Sequence, residues 1–165
     1  MFVVEDGTGK PGATSYADIE IADLYMQAWH GGDDQWLEQS DEQKQACLMK
    51  GTRFIDSHDF RGFRLRGNQA LQFPRMDMET SPISGVPKAV VHATIEAAFR
   101  VAKGEDLLPD HSQEIISGTT QTVGPITTQV NFARGKKPAK TYETVHALLK
   151  PFVVSKTSRQ INRSF

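Results

Sequence analysis

The residues best suited to chemistry lie between positions 60 and 75, where Arg61, Arg64, Arg66 and Arg75 are interleaved with Phe60, Phe63 and Phe73. Guanidinium groups meet phosphates or carboxylates, and aromatic rings stack on bases or pack against apolar partners. The mixture therefore suits contact with single-stranded nucleic acid or with another protein. Asp56, Asp59, Asp77 and Glu79 flank the stretch with opposite charge and favour protein contact over a polyanion. The stretch has no helical period, so its order must come from Phe60, Phe63, Leu71 and Phe73 docking on adjacent helices while the arginines stay solvated.

Three other groupings invite a chemical reading. Asp56, His58 and Asp59 could orient an imidazole as a general base, but no nucleophile accompanies them and no Gly-x-Ser-x-Gly elbow occurs. A polar helix end, with His58 near free carbonyls, is the expectation. Gly7-Thr8-Gly9-Lys10 is superficially like a phosphate loop, yet Val4 and Pro11 stand where that pattern needs glycine and Ser or Thr, so it reads as a turn. His30, His58, His92, His111 and His146 lack zinc-site spacing, and the lone Cys47 is expected in the core. Neither an enzyme, a metal site nor a cofactor is expected.

These side chains must be carried by a modest structure: 165 residues with 38% apolar content suggest one domain. No apolar run approaches a membrane span and no signal pattern is apparent at the start, so an intracellular protein is expected. The net charge of -1 hides an asymmetry. From Arg134 onward eight basic residues face Glu143 alone, which leaves the preceding body with 11 basic and 19 acidic residues. Such opposition favours docking between subunits or with a protein partner.

Along the chain, residues 1–14 read as an extended arm ending in a Gly/Pro turn cluster. Residues 15–104 read as a helical core. Asp18 caps a first helix in which Ala22, Tyr25, Met26 and Trp29 form the apolar stripe, and Gly31-Gly32 ends it. Ser40 and Gln43 form a capping box for a second helix running to about Ser57, in which Gly51 costs about 1 kcal/mol of propensity. An ordered loop over 60–82 precedes a third helix from Pro87 to Gly104, whose small residues Val90, Thr94, Ala97, Ala98 and Val101 admit a close neighbour. Residues 112–133 read as a β-hairpin turning at Gly124-Pro125, with Ile126, Thr128, Val130 and Phe132 alternating with polar residues. A short helix spans 141–150 and a tail 151–165. The expected fold is mainly α: a small bundle of about four helices with a protruding hairpin, an N-terminal arm and a C-terminal tail. A lone hairpin is marginal in water, so pairing within an oligomer is expected.

Several of these segments resemble a tailed-phage family commonly labelled DnaT-like single-stranded-DNA-binding proteins and associated with head-to-tail adaptors. The family's Val-Glu-Asp-Gly-Thr-Gly opening is matched by Val4 to Gly9, and its Ala-Asn-Ser-Tyr element by Ala13-Thr14-Ser15-Tyr16, where Thr14 replaces the usual Asn. The central signature is matched by Phe60, Gly62, Gln69, Leu71, Pro74 and Arg75, with Phe73 in place of the more usual Trp. Val123-Gly124-Pro125 and the helix from Tyr142 to Leu149 match its hairpin and terminal helix.

The resemblance implies a structural adaptor without cofactor, in a ring commonly of twelve copies that docks on the phage portal and extends the DNA channel toward a tail-completion protein. Packaged DNA would pass without sequence-specific binding. The location implied is the virion neck, after assembly in the host cytoplasm. Expected contact residues toward the portal or a neighbouring subunit are Phe60, Arg61, Arg64, Arg66, Arg75, Ile126, Val130, Phe132, Lys136, Lys137, Arg159 and Arg163. The alternative expectation is a single-stranded-DNA-binding module.

Overall fold

The computed structural model describes residues 1–76, 85–108, 118–123, 126–131 and 141–154. Among them are five helices: α1 (Ile19–His30), α2 (Asp34–Leu37), α3 (Asp41–Asp56), α4 (Lys88–Ala102) and α5 (Glu143–Leu149). Four short strands accompany them: β1 (Phe63–Arg64), β2 (Arg75–Met76), β3 (Gly118–Val123) and β4 (Ile126–Asn131). The protein is mainly helical with an antiparallel β3–β4 hairpin, as the sequence predicts.

Local chemistry sets the helix ends. The Asp18 side chain accepts from Ile21 N, and Gly31 closes α1 in the left-handed conformation at φ 65°. Ser40 and Gln43 complete the capping box of α3. Pro87 stands at the N-cap of α4 rather than inside its first turn. Helix α2 is not anticipated: four residues are too few for a period, yet they bury Trp36, whose Nε1 donates to Asp23 Oδ1 at 2.7 Å.

The core lies where α1, α2, α3 and α4 converge on Ala22, Met26, Trp36, Leu48, Ile95 and Ala98. Cys47 borders it, as expected. Helix α4 is buried along almost its whole length, and Gly51 of α3 explains how closely it is approached. A Cβ at position 51 would stand 2.7 Å from the Thr94 carbonyl oxygen and 2.9 Å from Ala98 N, so the residue that lowers helix propensity is what lets two backbones meet.

The N-terminal segment is not a free arm. Val4 bridges Ser15 in parallel, and Glu5 N donates to Ser15 O at 2.9 Å. Gly7, at φ +91°, sits so close to Gly85 that a Cβ would approach its Cα to 2.6 Å. Inside this loop the buried Glu5 carboxylate accepts from the amides of Gly7, Gly9 and Lys10 at 2.8 to 2.9 Å. The phosphate-loop-like tetrapeptide is thus a nest of N–H groups filled by the chain's own carboxylate. At the other end, Val153 bridges Phe60, and Val154 N donates to Asp59 O at 2.8 Å, so residues 151–154 belong to the body rather than to a tail.

The hairpin forms a separate compact unit within 109–142. Val123 pairs with Ile126 at the turn and Gly118 with Asn131 at the open end.

Candidate functional site

Order in the loop between α3 and α4 comes from two buried polar side chains. Gln69 Nε2 donates to the carbonyls of Leu71 and Pro74 at 2.8 and 3.1 Å, while its Oε1 accepts from Arg66 N at 2.9 Å. Arg75, only 7% exposed, is spent on the same loop. Its Nε donates to Arg61 O at 2.8 Å, Nη2 to Phe60 O and Gly62 O at 3.2 and 2.6 Å, and Nη1 to Gln72 O and Oε1 at 3.3 and 2.7 Å. A planar fork with five N–H groups is what such a cage of acceptors demands. Burial holds the Arg75 pKa below its ordinary value. The expectation that all four arginines stay solvated therefore fails at Arg75, which is a staple and not a contact residue.

The loop is fastened to the helices through Tyr16. Its hydroxyl donates to Asp56 Oδ1 and accepts from Phe73 N at 3.0 Å, and Asp56 Oδ2 accepts from Gln72 N at 3.1 Å. Burial raises the Tyr16 hydroxyl above the ordinary phenol range and pushes the Asp56 carboxyl up to about 6, against the lowering effect of its hydrogen bonds and of Arg75 and Arg64. Asp56 thus serves the loop and is not paired with His58, whose Nδ1 donates to the Phe54 and Ile55 carbonyls at 3.1 and 3.0 Å. The polar-helix-end reading of His58 holds.

Phe60 and Phe73 are buried edge-to-face against each other, 4.9 Å between centroids, and Phe73 meets Tyr16 and Phe152 in the same manner. Phe60 is consequently core and not a contact residue. Phe63 does the opposite of what its apolar character suggests: in β1, paired with Met76, it is 63% exposed. Arg64, Leu65 and Arg66 follow it in the open, and Leu65 N is tied back to Pro74 O at 3.0 Å. The exposed Arg61 reaches Pro151 O through Nη2 while its backbone N donates to Phe152 O at 2.8 Å. The result is a rigid ridge of Phe63, Arg64, Leu65, Arg66 and Met76, alternating rings or apolar chains with guanidinium groups.

Of the remaining expected contact residues, Ile126 and Val130 occupy β4, opposite Val123 and Thr119. Phe132, Lys136, Lys137, Arg159 and Arg163 lie outside the described residues. Among the described residues, no helix is long and apolar enough to cross a membrane, and no group of three His, Cys, Asp or Glu side chains could hold a metal ion. In the sequence Glu5, Tyr16 and Gln69 stand out only as positions of the family resemblance, because their roles depend on backbone groups that only the folded chain brings within reach.

Residues 1–164 match the model of the family described as "Putative DnaT-like ssDNA binding protein". The chain belongs to this family. Neither a curated protein nor a solved structure gave a significant match.

Proposed function

We propose that this member of the DnaT-like family works by binding and not by catalysis, and that its ridge of Phe63, Arg64, Leu65 and Arg66 contacts single-stranded DNA. The observation that carries this reading is Phe63, a ring held 63% exposed on a stapled loop between solvated arginines. Exposed rings stack on bases without regard to sequence, and guanidinium groups neutralise phosphates. The family description supports the same occupant. A fluorescence-anisotropy titration with a labelled oligonucleotide tests it. Phe63→Ala should weaken binding by roughly 1 to 3 kcal/mol, the worth of one stacked base. Affinity should fall with salt at a slope of about -0.7 per phosphate contacted, and Arg64→Ala with Arg66→Ala should flatten that slope. Absence of binding at low salt, or indifference to Phe63→Ala, overturns the proposal.

A second reading is favoured by the hairpin. β3 and β4 pair only with each other among the described residues, and a two-stranded sheet is at best marginal by itself in water. Its open edges suit pairing with a neighbouring copy. In this reading the chain is a head-to-tail adaptor of a tailed phage: a ring docked on the portal at the virion neck, extending the DNA channel to a tail-completion protein. Ile126, Val130, Phe132, Lys136, Lys137, Arg159 and Arg163 would contribute to its contacts. Light scattering after size exclusion, at several salt concentrations and with or without portal, distinguishes the two. A monomer indifferent to portal that binds oligonucleotide sinks the adaptor; a ring that captures portal and ignores oligonucleotide sinks the first reading.

A further inference from the structure

Helix α1 carries two apolar faces. Ala22 and Met26 are buried in the core, whereas Ile21, Leu24 and Trp29 are exposed at 44%, 60% and 71%, with the exposed Ala28 among them. Positions 21, 24 and 28 lie three and four residues apart, and 29 adjoins them, so they form one outward stripe. Tyr25 stacks on Trp29 with 6.1 Å between centroids, and its hydroxyl is fixed by the buried Glu96 at 2.9 Å, which holds the edge of the stripe in place. A contiguous apolar surface of this kind marks a contact site.

The charge of the segment that carries the stripe restricts what covers it. From Asp18 to Glu42 the chain holds eight carboxylates and no Lys or Arg. Asp23 and Asp33 are met by Lys44 and Lys103 from other helices, but Glu20, Asp34, Glu38, Asp41 and Glu42 are exposed. The occupant must be apolar in part and basic in part. Residues 155–165, outside the described structure, have that composition: Lys156, Arg159 and Arg163 with no acidic residue, plus Ile161 and Phe165.

Residues 143–154 belong with α1 to one compact unit, and the segment that follows is longer than the stripe. The last described residues are anchored at Phe60 and Asp59, and Phe60 joins through Phe73 to Tyr16, two residues before the Asp18 cap of α1. Eleven residues extend to at most about 40 Å, against about 12 Å along the helix from Ile21 to Trp29.

We infer that residues 155–165 of this chain cover the outer face of α1, with Ile161 and Phe165 on Ile21, Leu24 and Trp29, and Lys156, Arg159 and Arg163 toward its acidic surroundings. This surface is separate from the Phe63 ridge, and its test contains no DNA and no portal. The chain has two tryptophans, and Trp36 is fully buried, so acrylamide quenching of the full-length protein reports on Trp29. The expected result is weak quenching that rises several-fold in Lys156→Glu/Arg159→Glu/Arg163→Glu and in Ile161→Ser/Phe165→Ser, with far-ultraviolet circular dichroism unchanged. High salt should raise it in the native protein too. Protection that persists on dilution is the expected result, and protection lost on dilution overturns coverage by the same molecule's segment. Strong quenching in the native protein, or protection that survives both sets of substitutions, overturns the inference.

Discussion

Replacing Gly51 by Ala sets two effects of opposite sign against each other. Helix propensity alone predicts a gain of about 1 kcal/mol, because Ala loses less backbone freedom than Gly in a helix interior. Packing predicts a loss, since the new methyl would lie 2.7 Å from Thr94 O and 2.9 Å from Ala98 N, and neither backbone atom can rotate away. Helix α4 would have to retreat from α3, opening space around Leu48, Ile95 and Ala98 at the centre of the core. Overpacking of this type costs typically 1 to 3 kcal/mol, and a backbone obstacle places it at the upper end, so the net loss is about 2 kcal/mol. Urea denaturation followed through the buried Trp36 measures it, as a lower midpoint with unchanged slope. Gly67→Ala is the control, because a Cβ there meets nothing within 4 Å, and its midpoint should hardly move. A Gly51→Ala protein at least as stable as the native one would refute the close approach of α3 and α4.

Other perturbations bear on the loop. Tyr16→Phe removes the donor to Asp56 and leaves the Phe73 amide buried without an acceptor, so it should cost about 2 to 4 kcal/mol in the same denaturation assay. Arg75→Lys keeps the charge but cannot serve five acceptor contacts, and should cost about 2 kcal/mol or more and expose the loop to limited proteolysis. Phe63→Ala should leave stability within about 0.5 kcal/mol, because the ring packs in the open, even where it weakens binding. Asp56 gives a pH signature. With its folded pKa raised to about 6, the native state binds more protons than the unfolded state below that pH, so lowering the pH from 7 to 5 should add about 1 kcal/mol of stability through this group. That increment, read as the shift in urea midpoint between the two pH values, should vanish in Asp56→Asn.

What could be read from the sequence was what neighbours in the chain decide. The caps at Asp18, Gly31 and Ser40 are local hydrogen-bond chemistry, and the small-residue run of α4 announced a close neighbour. The period of α1 groups Trp29 with its core residues, because a helix with apolar residues on both sides gives a period without saying which side is inside, and Trp29 lies outside. Phe63 and Phe73 are indistinguishable by residue type, and only the two-residue β1–β2 pairing turns the first outward while Tyr16 and Phe60 enclose the second. Arg75 looked like surface because an arginine's burial depends on carbonyls gathered from Phe60 to Gln72, an arrangement no linear spacing reveals. The N-terminal segment is compact for a related reason: its glycines signal a turn, but Glu5 at its centre is what ties that turn together.

The stapling of the 60s loop has a consequence for how this protein can diverge. Its shape is maintained from within, by Gln69, Arg75 and main-chain carbonyls, with Arg64 Nη1 adding a contact to Gln69 O at 3.4 Å, so the outward side chains of Phe63 and Leu65 contribute little to keeping it. Substitution at 63 and 65 is therefore decoupled from foldability, and this rim can change its outward chemistry on an unchanged frame.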